Sequence, residues 1–368
     1  MLASAIAAAF PFDTADRIEA NRLPVAMDGV RSLLFLGAAA GVVLLAAMGR
    51  IPSRAMGWAL AAIVALDLWS VERRYWIFSP PAEVLYASDP AVEYLKTAEP
   101  GRVVVAPTSS QGLMPRDPSY AGDALMVHGV RLVEGYHGNE LGRYQRLASR
   151  ERVGDYGNSL NPAFWRLVNA RYLYTNGDIP DSALKKLIGP VKNASGSTVY
   201  LYRLPGDNPP AWVTTTFVKA GDKATAGTIL DPRFDPLRVA VFDSAATVAA
   251  PTLTALPEPL GITTKITRYD PGHIALELSA PAPAGSALVV SENYFPGWTF
   301  SIDGRPPIPA IRTDCTFLGV PLPTGARRVS LDFHDPAYAT GKIVTMVAVL
   351  LALLALGAGL LLDRRRVV

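Results

Sequence analysis

Long runs of apolar residues occur at three places along the chain. The longest, residues 343–362, contains twenty consecutive uncharged residues, IVTMVAVLLALLALGAGLLL. A helix of this length can cross a hydrocarbon core of ~30 Å, because each residue adds ~1.5 Å. Two shorter runs, residues 32–48 and 55–71, are joined by the polar segment GRIPSR, which predicts a helical hairpin over residues 32–71. The pattern therefore predicts three transmembrane helices.

The positions of basic residues predict how these helices are oriented. Three arginines, residues 364–366, directly follow the last apolar run, and basic residues close to a span favour the cytoplasmic side. The tail 363–368 is therefore predicted to be cytoplasmic. With three spans, the N-terminal segment 1–31 and the region between the second and third spans are predicted to lie on the external side of the membrane.

Shorter patterns of mixed type fill the region between the second and third spans. Residues 72–205 combine helix-like segments such as PAVEYLKTA with strand-like segments such as RVVVAP and RYLYT, which predicts an external mixed α/β domain. The proline-rich segment PGDNPPAW marks a break, so residues 206–260 are interpreted as a connecting segment. From 261 to 342, alternating runs such as HIALELS and WTFSI recur between turn signals, which predicts an antiparallel β-sandwich.

The composition agrees with a membrane protein. Half of the residues (50%) are hydrophobic and 18% are charged, which is too apolar for an ordinary soluble chain. The formal net charge of +3 is too small to indicate nucleic-acid binding, and the single cysteine, Cys315, cannot form an internal disulfide. Membrane lipids are therefore expected partners, and nucleic acid is not.

The segment EGYHGNELGRYQRLASRER contains a candidate substrate-binding site. On a helix that begins near Asn139, Arg143 and Arg146 share one face, and guanidinium groups suit phosphate oxygens. Tyr136 and His137 lie on the glycine-flanked loop before this helix. We hypothesise that these four side chains contact an anionic, lipid-linked sugar. The alternative is that the arginines form an ordinary solvated helix face.

Asp67 is a second candidate, because it is the one carboxylate within a predicted span. Carboxylates inside a membrane are costly and are often functional. Asp67 lies close to the outer end of its span, where water, Arg73 or Arg74 could satisfy its charge. It could instead form part of an external pocket that binds substrate, and both interpretations stay open.

Trp298 is the third candidate, within the stretch SENYFPGWTFSIDGRPPIPAI. Pro296-Gly297 suits a type II turn and Asp303-Gly304 suits a tight hairpin turn, because glycine accepts a positive φ angle. Trp298 lies between these turns and is expected to fill the sandwich core or its edge. As an alternative, the flat face of its indole ring could stack on a sugar, which would make Trp298 a carbohydrate contact.

Motifs for common catalytic chemistry are absent from the sequence. It contains no G-x-S-x-G elbow, no H-E-x-x-H pair, no phosphate-binding glycine loop and no cysteine cluster. In LDFHDP, Asp332 and His334 would share one face of a strand, which a divalent ion could use, but a solvated strand edge explains the pattern equally well. No catalytic residue, metal ligand or cofactor is therefore predicted.

Several of these segments together resemble one protein family. SENYFPGWTFSIDGRPP, with VPLPTG and the last apolar run after it, is similar to the C-terminal end of the YfhO-like bacterial membrane proteins. EGYHGNELGRYQRL and NPAFWRLVNARYLYTN resemble the Gly-Tyr-His-Gly helix and the following helix-to-strand unit of the same family. NPPAWV and FDPLRVAVF resemble its next segment, and the matches follow one another in order along most of the chain.

This resemblance implies a function in the bacterial cell envelope. The family is grouped with multi-pass C-type glycosyltransferases, which transfer sugars from polyprenyl-phosphate donors outside the cytoplasmic membrane. Their catalytic acid is expected in an N-terminal multi-span half, so this chain is expected to be the external, non-catalytic C-terminal half. It would position a lipid-linked sugar or an envelope-polymer acceptor beside that half or a companion membrane protein. The alternative is a structural or binding membrane protein whose sandwich contacts envelope glycans or a protein partner.

Overall fold

The computed structural model describes the backbone of four ranges, and side chains as far as residue 359: residues 22–135, 140–151, 154–180 and 182–366. Contacts divide the chain into two compact units, Met1–Pro80 and Pro81–Val368. The first unit contains a helical hairpin. The second contains three sheets, several short helices and one long helix.

The hairpin consists of α1 (Arg22–Ala47) and α2 (Ser53–Glu72). Both helices are long and apolar enough to cross a membrane. Helix α1 begins well before residue 32, the predicted start of the hairpin, because Asp28 and Arg31 continue the helix as an i, i+3 ion pair. Part of the predicted N-terminal segment 1–31 is therefore helical, and its first 21 residues lie outside the described ranges.

One long helix and several short ones belong to the second unit. The long helix, α9, is also long and apolar enough to span a membrane over Pro336–Gly359. Its backbone continues through most of the predicted tail 363–368, whose side chains lie outside the described residues. The helices of this unit are α3 (Ala82–Leu85), α4 (Pro90–Thr97), α5 (Pro118–Ala121), α6 (Gly142–Ala148), α7 (Pro162–Leu167), α8 (Asp222–Ile229) and α9 (Pro336–Arg366).

Four of the described helices begin at an Asp-Pro or Asn-Pro pair. In each, the Asp or Asn side chain accepts a hydrogen bond from the backbone N–H two residues later, at 2.8–2.9 Å. Proline suits the first helical position because its φ angle is preset and no N–H is needed there. These pairs are Asp89-Pro90, Asp117-Pro118, Asn161-Pro162 and Asp335-Pro336.

The first sheet forms the centre of the predicted mixed α/β region. Its strand order is β1-β2-β4-β3, with β1 and β2 parallel and the other pairs antiparallel. Helices α4 and α7 pack against its two faces, since α4 contributes Ala91 and Val92 to one buried cluster and α7 contributes Phe164 to another. Its strands are β1 (Arg102–Val105), β2 (Ala170–Thr175), β3 (Lys185–Lys192) and β4 (Thr198–Arg203).

The other two sheets pack face to face as a β-sandwich. The second sheet has the order β5-β10-β14-β13-β7-β6, and the third has the order β12-β11-β15-β9-β8. The strands of the second sheet are β5 (Ala211–Thr214), β6 (Thr216–Ala220), β7 (Val239–Asp243), β10 (Ala287–Asn293), β13 (Ile311–Thr313) and β14 (Phe317–Pro321). Those of the third are β8 (Thr264–Asp270), β9 (His273–Leu278), β11 (Trp298–Ile302), β12 (Ile308–Pro309) and β15 (Arg328–Phe333).

The second sheet is buried on both of its faces. One face contributes Val213 and Leu288 to a core shared with Phe300 of the third sheet. The opposite face contributes Trp212 and Val289, the adjacent residues on the same strands, to a core shared with α7 and the first sheet. This alternation follows from the two-residue period of a strand. The unit therefore stacks the third sheet, the second sheet, and a layer made of short helices and the first sheet.

The sandwich begins earlier in the chain than the sequence predicts. Residues 206–260, interpreted above as a connecting segment, contain β5, β6 and β7 of the second sheet. Strands β6 and β7 are parallel and are linked through α8. The strand pairs formed within residues 261–342 are all antiparallel, as predicted for that range. A parallel pair with a helical crossover has no hairpin turn between its strands, so residues 206–260 carry no turn signal that would mark them as part of the sandwich.

Both predicted glycine turns of the SENYFPGWTFSIDG stretch are present. Gly297 has a φ angle of +116° and Trp298 N–H donates to the Phe295 carbonyl, as a type II turn requires. Asp303 and Gly304 have φ angles of +51° and +74°, which is the pattern of a type I′ hairpin turn. Only the first turn packs closely against other backbone. An added Cβ at Gly297 would lie 2.4 Å from the carbonyl oxygen of His334.

The variants Gly297→Ala and Gly304→Ala form a matched pair, because both glycines have positive φ angles but a Cβ at Gly304 would meet nothing within 4 Å. We expect Gly304→Ala to lower the free energy of unfolding by about 1 kcal/mol, from backbone strain alone. Gly297→Ala should cost roughly 2–4 kcal/mol, because the backbone near His334 must also move. Denaturant unfolding of the full chain in detergent measures both values. Equal losses would contradict the close approach at Gly297.

Candidate functional site

A cavity of about 530 Å³ lies where the first sheet meets the sandwich. It is bordered by side chains from β1, β8, β10 and α6 and from the loops around residues 123–135. Most of its polar side chains are planar groups that can form several hydrogen bonds. These are Arg102, Arg131, Glu134, Glu140, Tyr144, Gln145, Tyr156, Tyr269 and Asn293.

Arg102, at the start of β1, joins the two layers that enclose the cavity. Its Nη1 donates to the carbonyl oxygens of Val168 at 2.9 Å and Ser291 at 2.7 Å, and its Nη2 donates to Glu292 Oε1 at 2.5 Å. Burial alone would lower the pKa of Arg102. The Glu292 carboxylate acts in the opposite direction, and the net shift of this pKa is upward. Arg102 is therefore a fixed positive charge that is already neutralised by Glu292.

Tyr269 provides an aromatic ring at the border of the cavity. Its hydroxyl donates to Glu292 Oε1 at 2.6 Å, and the guanidinium carbon of Arg131 lies 4.3 Å from the ring centre. Burial, together with the Glu292 charge, raises the pKa of Tyr269. The tyrosine hydroxyl consequently stays protonated at neutral pH. Tyr269 is 39% exposed, so part of its surface remains free for contact.

Two glutamates of the cavity have different environments. Burial raises the pKa of Glu134 to about 7, although a hydrogen bond with Ser159 lowers it in part. Glu134 Oε1 is shielded from solvent and has no hydrogen-bond partner within the described ranges. Glu140 is instead held by Tyr156, whose hydroxyl donates to its Oε2 at 2.8 Å, and by the amide of Gln145. Glu134 can therefore exchange a proton near neutral pH.

The charges around the cavity favour a neutral, hydroxyl-rich ligand over an anion. Glu134, Glu140 and Asp123 line it together with Arg102 and Arg131, so carboxylates are at least as numerous as guanidinium groups. A phosphate would meet these carboxylates. Hydroxyl groups can both donate to carboxylates and accept from guanidinium, amide or phenol groups. The arrangement is therefore chemically suited to a sugar.

The structure places the predicted arginines outside this cavity. Helix α6 begins at Gly142 rather than near Asn139, and its buried residues include Leu147. Arg143 Nε donates to Asp222 Oδ2 at 3.0 Å. Among the described residues, Arg146 Nε donates to the Gly142 carbonyl, at 3.1 Å. The side chains of α6 that do line the cavity are Tyr144 and Gln145, on another face.

Arg143 belongs to a balanced charge network. Asp222 accepts hydrogen bonds from both Arg143 and Arg312, and Arg312 also binds Asp243. Burial raises the pKa of Asp222, but the hydrogen bonds from Arg312 and Arg143 outweigh burial and lower it. A phosphate at Arg143 would have to displace a carboxylate. The network therefore supports a structural role for Arg143.

The remaining predicted site residues are Tyr136, His137, Trp298 and Asp67. Tyr136 and His137 lie outside the described residues, although Gly135 and Glu140 on either side of them line the cavity. Trp298 is half-buried at the edge of the sandwich core, and its ring lies 5.4 Å from that of Phe333. This agrees with the interpretation of Trp298 as a core-edge residue.

Asp67 is paired within the helical hairpin. Its Oδ1 lies 3.3 Å from Arg31 Nη1, which also donates to Ser70 Oγ at 2.8 Å. The basic residues expected beside Asp67 have other contacts. Arg74 pairs with Asp28 at 3.2 Å, and Arg73 stacks on Trp69. Asp67 therefore has a neutralising partner, which favours the first of its two interpretations.

Sequence reasoning did not identify the residues that define the cavity. Glu134 and Glu140 flank the predicted site residues Tyr136 and His137 in the EGYHGNE segment. Arg102 has the appearance of an ordinary strand residue, and Glu292 lies at the start of the SENYFPGW stretch without a recognisable motif. The one sequence signal for the cavity was Arg102, a charged residue at the start of the otherwise apolar strand RVVV.

The LDFHDP residues have partners within the fold. Asp332 Oδ1 lies 2.6 Å from Nδ1 of His273, and Asp335 caps α9. In the part of the chain that the structure describes, no group of three or more His, Cys, Asp or Glu side chains is placed to hold a metal ion.

Comparison of the chain with protein-family models, with curated proteins and with solved structures gave no match. The cavity geometry is therefore the main basis for a functional proposal.

The raised pKa of Glu134 predicts a pH-dependent stability. Between about pH 4.5 and 7 the unfolded chain loses a proton from Glu134 that the folded chain keeps, so stability falls as pH rises through this window. The contribution is on the order of 2–3 kcal/mol. Glu134→Gln should remove it, which denaturant unfolding between about pH 5 and 8 would measure. Asp314, which is fully buried with a pKa of about 7, adds a similar slope to both proteins. Identical slopes would contradict the prediction.

The charge network predicts different effects for the two arginines of α6. Arg143→Ala removes a partner of Asp222 and should lower the free energy of unfolding by about 0.5–1 kcal/mol. Arg146→Ala, which removes no carboxylate contact within the described ranges, should change it by less than about 0.5 kcal/mol. A double-mutant cycle of Arg143→Ala with Asp222→Ala measures the coupling. Additive effects in that cycle would show that the pair is not formed in solution.

Proposed function

We propose that the chain is the membrane-attached, non-catalytic C-terminal part of a YfhO-like protein related to glycosyltransferases. In this proposal it holds a lipid-linked sugar, or an envelope-polymer acceptor, outside the cytoplasmic membrane of a bacterium. A multi-span N-terminal half or companion membrane protein supplies the catalytic acid. The resemblance of several ordered sequence motifs supports the choice of family.

The single observation that supports sugar binding most directly is the composition of the cavity. Its volume of about 530 Å³ is within the range of small-ligand sites and is sufficient for one or two sugar rings. Its border combines phenol, amide, carboxyl and guanidinium groups, which together can donate to and accept from several hydroxyl groups. Tyr269 adds a partly exposed ring against which a sugar can pack.

Membrane attachment is supported by the three long apolar helices. Helix α9 leaves the sandwich directly after β15, so the second unit would be held at a bilayer by its own C-terminal helix. A lipid-linked ligand is confined to the same surface. Confinement raises the effective concentration of such a ligand at the cavity, which is how a positioning domain without catalytic groups assists a reaction.

The proposal predicts sugar-dependent binding by the full chain in phosphatidylcholine nanodiscs. The probes are polyprenyl phosphate carrying glucose or N-acetylglucosamine, and polyprenyl phosphate alone. We expect tighter binding of a glycosylated lipid, and a roughly tenfold loss of affinity in Tyr269→Ala, equivalent to ~1.4 kcal/mol. Tyr94→Ala is the matched control, because Tyr94 is similarly exposed (37%) and lies away from the cavity.

Two results would contradict this function. Equal affinity for the glycosylated and unglycosylated lipids would show that the cavity does not recognise the sugar. Sugar transfer by the purified chain alone, abolished by Glu134→Gln or Asp67→Asn, would show that the chain is itself catalytic. We expect transfer only when the multi-span half is added.

A further inference from the structure

We infer that the turn at Phe295–Trp298, together with Phe333 and Tyr338, forms a lipid-contact surface that seats the sandwich on the headgroup layer of the bilayer crossed by α9. We call these residues the aromatic seat. The inference concerns how the second unit is held and does not depend on sugar binding in the cavity. It does depend on α9 crossing a bilayer.

The aromatic seat is joined rigidly to the start of α9. His334 N–H donates to the Gly297 carbonyl at 3.0 Å, so the turn and the chain entering α9 share a backbone hydrogen bond. The absence of a side chain at Gly297 allows this approach. Trp298 also pairs with Phe333 in the sheet. The turn is therefore tied to the segment of chain that enters α9.

Three rings of the aromatic seat, Phe295, Trp298 and Phe333, form contacts through Phe333, but the seat is largely exposed. The Phe295 and Phe333 ring centres are 6.2 Å apart, and those of Trp298 and Phe333 are 5.4 Å apart. Phe295 is nevertheless 45% exposed, Phe333 is 37% exposed and Tyr338, in the first turn of α9, is 72% exposed. Large aromatic rings grouped at the surface indicate a site of contact with a protein partner or a membrane.

The position of the aromatic seat beside the start of α9 indicates that the contact is with membrane lipid. From Pro336 to Lys342, α9 carries polar and small residues, and the uncharged run begins at residue 343. These seven residues span about 10 Å of helix, which is on the order of the depth of a headgroup layer. Aromatic and lysine side chains are the residues typically found at this level. The aromatic seat thus lies where the bilayer surface must pass.

The test places a fluorescent probe at three positions of the full chain. Phe295→Cys reports on the aromatic seat, Arg305→Cys on the opposite end of β11, roughly 17 Å away, and Leu351→Cys on the interior of α9. Each variant is labelled with a polarity-sensitive maleimide and reconstituted into phosphatidylcholine vesicles. The vesicles contain phospholipid with a nitroxide quencher either on the headgroup or on the acyl chain. The wild-type chain shows whether the buried Cys315 reacts with the label.

We expect headgroup nitroxide to quench the probe at residue 295 strongly and that at 305 weakly, while acyl-chain nitroxide quenches the probe at 351. Equal headgroup quenching at 295 and 305 would overturn the inference. So would an unquenched 351 probe, because α9 would then not cross the bilayer. The inference is also overturned if headgroup nitroxide does not quench the 295 probe while soluble glucan oligosaccharides change its fluorescence. The surface would then be a carbohydrate platform. An unquenched 351 probe would also contradict membrane attachment through α9. The other outcomes leave the lipid-linked sugar titration unchanged, so failure of the aromatic seat is distinguishable from failure of sugar binding.

Discussion

The contact between Arg102 and the second sheet is the interaction on which the rest of the second unit depends. One buried guanidinium donates to a carbonyl of the first layer, at Val168, and to Ser291 and Glu292 of the sandwich. Removing it would leave two carbonyl oxygens and a carboxylate without this donor in a largely buried place, which costs more than the hydrogen bonds gain. Because the cavity lies at this junction, its shape is determined by the same contact.

The parts of the fold that could be predicted are those encoded locally. The apolar runs predicted all three candidate spans, and the Pro-Gly and Asp-Gly pairs predicted their turns. Strand pairing could not be predicted, because it joins residues that are distant in the chain. Thr214 pairs with Ala287, and Thr313 pairs with Phe242. Residues 206–260 consequently have the sequence pattern of a connecting segment. Three of their segments are nevertheless strands of the second sheet, with β5 and β6 at its edges and β7 inside it.

The candidate site shows the same limit. The arginines of α6 were found from helical spacing, but the partner of Arg143 is Asp222, 79 positions later, and the partner of Arg102 is 190 positions later. The pattern of a single segment therefore could not show that Arg143 is neutralised. Nor could it show that Glu134 is buried enough for its pKa to rise to about 7. In physical terms, the sequence located a surface helix, and tertiary packing decided which of its faces meets a cavity.

The third sheet links the cavity to the helix that would hold the unit in a membrane. Tyr269 of β8 pairs with Ile274, which pairs with Leu331 of β15, two residues before the end of that strand. Strand β8 is two strands from β15, or roughly 10 Å at the usual strand spacing. The ring of Tyr269 therefore lies near the end of the sheet from which α9 begins. A sugar attached to a membrane lipid would need to rise only a short distance to reach it, whereas a cavity at the Asp303-Gly304 end would be out of reach of such a ligand.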